Sequence, residues 1–139
     1  MTASFDFRRG YWSPRMALGQ PGMDAAHRSL LEELERISEL DDAQFVAGFE
    51  HFIALVEADF HEEEAVMEGI EYSALPTHRE QHARLLGYLR QTASRMREGD
   101  IAAGREVTAL MPGWFELHIE TMDGALAMQC QYSQQRRIA

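Results

Sequence analysis

A chain of 139 residues has the mass for one domain with one sizeable core, and 45% apolar against 26% charged residues is the balance of an ordinary soluble protein. The net charge of −10 argues against a nucleic-acid surface, and because all 13 basic residues are Arg, the absence of Lys excludes a P-loop and a Schiff-base enzyme. The lone Cys130 allows no internal disulfide, and neither a signal peptide nor a membrane-spanning run is legible, so a cytoplasmic, monomeric, single-domain protein over residues 1–139 is expected.

The start, about residues 1–21, carries Tyr11, Trp12, Pro14 and Pro21 and reads as an ordered arm rather than a helix. "MDAAHRSLLEELERISEL" follows as a first helix, with Met23, His27, Leu31 and Leu34 on one stripe. "DDAQF" supplies an N-cap for a long second helix that runs to about Gly69. "YSALPTH" breaks the chain, and "THREQHARLLGYLRQTASRMREG" forms a third helix ending near Gly99, with His78 and His82 on the stripe of Leu85, Leu86, Leu89 and Met96. Asp100 caps a fourth, which is expected to break at Pro112 and resume as "GWFELHIETMDGALAMQ", with His118 beside Met111, Trp114 and Met122. Strand alternation is absent. An all-α, up-down-up-down four-helix bundle over about residues 22–131 is the expectation.

The segment "EADFHEEEAVM", residues 57–67, crowds carboxylates around one histidine. A helix advances about 100° per residue, so with Asp59 at zero, Phe52, Leu55, Val56, Val66 and Ile70 all fall within about 60° of it. Glu63 sits at about 40°, inside that apolar stripe, whereas His61 and Glu64 lie at about 200° and about 140° and are expected to face water. Two inward carboxylates at i and i+4 are costly without a compensating charge or metal. An Arg partner or an escape at a helix end would be the bland solution. Four histidines, His27, His78, His82 and His118, also face the bundle interior, however, and buried imidazoles with carboxylates make a transition-metal site. His51 and the rest of "EEE" read as surface, the eight Met residues as core filler, and Cys130 as structural.

These segments resemble the hemerythrin family, in particular its bacterial members, over nearly the whole chain. "YWSPRMALGQPGMDAAH" looks like the Trp-bearing arm leading to Asp-x-x-His, "THREQH" like the family's His-x-x-x-His, and "WFELHIETMD" like its Trp-x-x-x-His-Ile-x-x-x-Asp ending. The resemblance implies two non-haem irons between the helices. His78, His82 and His118 would hold one, Glu63 and Asp123 would bridge both, and His27 would hold the second, which keeps an open position for dioxygen. Asp123 enters through the family pattern alone, since five residues on from His118 it lies about 140° away on an ideal helix; a wider turn there would reconcile the two.

One ligand position departs from the family. Its second helix reads His-Phe-x-x-Glu-Glu-x-x-Met, and in "DFHEEEAVM" the first position is Asp59. Smaller departures are Ala26 and Ser73. A carboxylate is harder than imidazole and favours the ferric state or manganese. It is also shorter, so direct coordination, coordination through a water and a partly empty second site all stay open. The leading expectation is a diiron protein that binds dioxygen for storage, delivery or sensing, with no nucleic-acid or membrane partner. The alternatives are a diiron oxidase, a peroxidase-like enzyme or redox sensor altered by Asp59, and a metal-free helical module. A ferritin-like enzyme is disfavoured, because no histidine has Glu three residues before it.

Overall fold

The computed structural model describes residues 11–138. Residues 1–10 of the expected arm lie outside the described residues; the remainder is irregular chain with a 3-10 turn at Pro14–Met16. Helix α1 spans Pro21–Ser38, α2 Asp42–Gly69, α3 Leu75–Arg97 and α4 Ile101–His118. A π-helical turn at Ile119–Asp123 then leads without a break into α5, Gly124–Ile138. No strand occurs among the described residues.

The boundaries follow local chemistry. Pro21 opens α1 two residues ahead of Met23, since a proline at the first helical position wastes no hydrogen bond. Asp41 caps α2 by accepting from the Gln44 amide at 3.1 Å, and Asp100 caps α4 by accepting from the Ala103 amide at 3.2 Å. Each cap contributes about 1 kcal/mol. Gly99, at φ 108°, takes the left-handed turn that ends the third helical segment, which other residues adopt only with strain.

Pro112 does not interrupt the fourth helix, contrary to expectation. An internal proline removes one helical hydrogen bond and costs about 3 kcal/mol in an isolated helix. Here Met111 and Phe115 on either side are buried at 3% and 2% exposure, and burial of such side chains contributes about 1.5–3 kcal/mol each. Tertiary packing outweighs the local penalty.

The connections at residues 39–41, 70–74 and 98–100 are too short for crossovers, so successive helices run antiparallel. Helix α1 packs on α2 and α4, and α3 packs on the same two, closing a four-helix ring. The larger apolar core is built on Phe45, Phe49 and Phe52 of α2, with Leu31, Leu34, Leu89 and Phe115 around them. A smaller cluster of Met67, Leu126 and Cys130 closes the opposite end. Between the two lies a polar layer, because Glu63 falls between Phe60 and Met67 on α2, and Asp123 between Ile119 and Leu126 on the last rod.

The N-terminal segment is tied down by an Arg15–Glu116 ion pair at 2.6 Å, a Leu18 amide donating to Asp24 at 2.8 Å, and Arg28 stacked over Trp12. No helix among the described residues is long and apolar enough to cross a membrane.

Candidate metal centre

Each helix of the ring delivers side chains to the polar layer. His27 comes from α1, Asp59 and Glu63 from α2, His78 and His82 from α3, His118 from the end of α4, and Asp123 from the π turn. All seven residues singled out in the sequence fall into two groups whose possible ligand atoms lie within 4.8 Å of one another: Glu63, His78, His82, His118 and Asp123 in one, His27, Asp59 and Glu63 in the other. All are buried except Asp59, which is half-buried.

The π turn explains why Asp123 was out of register on an ideal helix. Its backbone closes i→i+5, with the Gly124 amide reaching the Ile119 carbonyl. Residues five apart are then stacked rather than about 140° apart, and Asp123 lies beneath His118.

The two central carboxylates are divided between the two groups. Glu63 Oε1 lies 3.0 Å from the Nε2 atoms of both His78 and His82, while Glu63 Oε2 lies 3.6 Å from His27 Nε2. Asp123 Oδ1 lies 3.0 Å from His78 Nε2 and 3.2 Å from His118 Nε2, while Asp123 Oδ2 lies 2.9 Å from His27 Nε2. Most of these distances suit hydrogen bonds, yet the Nε2 atoms of His78, His82 and His118, with Glu63 Oε1 and Asp123 Oδ1, are buried without hydrogen-bond geometry to any partner. Buried polar atoms are rarely left in that condition, since each costs about 1–3 kcal/mol. Lone pairs that converge on shared points instead of on each other suit cations, and the donor set of imidazole and carboxylate suits iron, zinc or manganese.

Outside the ring nitrogens, the histidine trio is held by a second layer. Glu64 Oε2 lies 2.9 Å from His82 Nδ1, and Gln81 Oε1 accepts from His118 Nδ1. Phe60 stacks on His82 with centroids 3.7 Å apart, and Trp114 stacks on His118 at 4.7 Å. Glu64 therefore corrects one sequence expectation: it does not face water but folds across the α2–α3 seam, held from outside by Arg79 at 3.3 Å. A helical angle of about 140° places a side chain at the margin of a stripe, and a long Glu can reach inward from there. Gln81 carried no signal beyond its place beside His82. His51 and His61 are exposed, as expected, and take no part.

The other end is open. A cleft of about 370 Å³ between α1, α2 and α5 runs from Gln20 and Gln134 at the surface down to Asp59 and Glu63. Val66, expected on the apolar stripe with Asp59, forms a wall of this cleft beside it and is 44% exposed.

Without metal, protons balance the layer. Burial opposes charge on His27, but Asp123 and Glu63 beside it prevail and push it up to about 10. His78 is pushed up to about 9 by the same two carboxylates against burial. Burial works against charge on Glu63 and Asp123 too, yet the surrounding histidines hold both below the usual carboxylate range. Asp59 goes the other way, to about 7, through burial first and the charge of Glu63 second.

Comparison with known proteins agrees with this arrangement. The family model of the hemerythrin HHE cation binding domain matches residues 19–130. A bacteriohemerythrin of Ralstonia nicotianae is 35% identical over 112 residues, covering 81% of this chain and 82% of that protein.

Proposed function

The chain belongs to the hemerythrin family, and on that premise we propose that it holds two non-haem irons and binds dioxygen, for storage, delivery or sensing. One observation carries the reading. Glu63 and Asp123 each offer one oxygen to the trio of His78, His82 and His118, and the other to His27. Two carboxylates shared in this way suit a pair of cations, whose charge offsets that of the buried acids. In this assignment His78, His82 and His118 would hold one iron and His27 and Asp59 the second, with Glu63 and Asp123 shared between them.

The irons, when bound, supply the electrons and the open coordination position that reversible oxygen binding needs. The chain contributes the rest. Glu64 accepts a hydrogen bond from His82 Nδ1 and Gln81 accepts one from His118 Nδ1, which fixes the tautomers and leaves each Nε2 lone pair free. Phe60 and Trp114 hold the rings by their faces and keep water from that end. Asp59 stands where the cleft meets the layer and faces whatever enters.

The carboxylate at position 59 supports a second reading, a diiron oxidase or redox sensor, because an anionic ligand favours the oxidised metal. Loading with ferrous iron without air, then cycling between oxygen and vacuum, separates the two. The oxygen-binding reading expects an optical change that reverses over repeated cycles. A single irreversible oxidation would overturn it in favour of the second.

A further inference from the structure

The cleft is far larger than dioxygen requires. A water molecule takes about 30 Å³ of liquid, and dioxygen is of similar order, whereas the cleft measures about 370 Å³, within the usual span for small organic ligands of about 300–1,000 Å³. Its walls are apolar: Met23 from α1, Val66 and Ile70 from the end of α2, and Leu126 from α5. Apart from Ser133 on the α5 wall, its polar groups lie at the two ends. Gln20 and Gln134 face one another at 3.5 Å across the mouth, and the carboxylates of Asp59 and Glu63 form the floor. Glu62 adds a third carboxylate, and among the described residues no Arg lines the cleft.

We infer that this cleft is a binding site for a small organic molecule, apolar over most of its length, that carries one neutral hydroxyl directed at Asp59. The walls supply affinity by burying apolar surface, and the floor supplies orientation, because a carboxylate accepts a hydrogen bond from a hydroxyl. Without metal, three carboxylates repel an acid of the same shape. The identity of residue 59 matters to the volume as well: Asp is shorter than the histidine that the resemblance places there, so the floor is set back. The inference rests on the proposed function only in that this floor is the position of the second metal. It makes the chain one that brings an organic molecule beside that metal, rather than one that admits oxygen alone.

Equilibrium dialysis of 1-naphthol against the purified protein tests this, with metal counted on the same sample. Saturable binding of one molecule per chain is expected, with 1-naphthoate at least about 10-fold weaker on the metal-free protein. Val66→Trp fills the cleft from a partly exposed position and should weaken 1-naphthol by at least about 10-fold, while Leu117→Ser, outside the cleft, leaves binding unchanged. Should Val66→Trp melt early, Ser133→Trp on the facing wall gives the same reading from α5. Binding that never saturates, equal affinity for 1-naphthoate, or affinity untouched by both cleft variants overturns the inference. Naphthol binding in a protein that takes up no metal would leave the cleft standing and remove the oxygen-binding reading; full metal with no naphthol binding would do the reverse.

Discussion

The two ends of the polar layer are built from the same residue types and differ in closure. At the closed end every histidine of the trio lies against an aromatic ring or another imidazole, and His82 and His118 are held from behind by Glu64 and Gln81. At the open end His27 has an Nδ1 atom buried without a partner, Asp59 is half-buried, and a cleft reaches the floor. A group that must stay fixed needs partners behind it, and a group that must exchange ligands needs space in front of it. This chain separates the two demands along one helix, with Glu63 belonging to both ends.

The largest expected effect comes from breaking the closed end. His78 touches both shared carboxylates, so His78→Ala takes one partner from each of them and one ligand from the trio. Loss of metal and a stability cost of about 3–5 kcal/mol are expected, read by metal analysis and thermal unfolding. A fully loaded variant would show that the trio is not the tighter end.

A subtler change sharpens the comparison. Glu64→Gln preserves shape but removes the charge behind His82 and should lower metal affinity about 10–100-fold, as such outer partners usually do. Glu62→Gln, on the exposed side of the open end, should leave the affinity of the trio as it was. Equal losses would mean that net charge, and not orientation, governs binding.

Asp59 gives a pH signature in the metal-free protein. Its folded pKa of about 7 lies above the ordinary 3.8, so the associated stability is complete at acid pH and is lost as pH rises through about 7. Asp59→Asn avoids that loss and should be roughly 2 kcal/mol more stable above about pH 7, with no gain below about pH 4. Unfolding curves across that range check it. An Asn variant no more stable at any pH would show that Asp59 is solvated. His27 and His78 act at higher pH: held at about 10 and about 9, they contribute stability below the ordinary 6.5 that is lost as pH rises past those values.

The smallest effects belong to the histidines outside both ends. His61→Ala and His51→Ala should change stability by less than about 0.5 kcal/mol and leave metal binding intact. Metal loss in His61→Ala would mean that the register of α2 is wrong.

Periodicity made the four helices, their Asp41 and Asp100 caps and the inward direction of Asp59, Glu63 and the four histidines legible, because burial of one face repeats every turn. Asp123 was legible only through resemblance, since a single π turn rotates everything after it and leaves no compositional trace. Pro112 misled because a local penalty was weighed without the burial of Met111 and Phe115. Glu64 was misplaced because ideal angles describe where a Cα–Cβ bond points, not how far a long side chain reaches.

Anaerobic titration with ferrous iron, with bound metal counted per chain, tests the central claim most directly. Two metals per chain are expected, the first bound more tightly and the second readily removed by chelator, because only one end is held from behind. Uptake well below one metal per chain, with melting unaffected by chelator, would contradict the account.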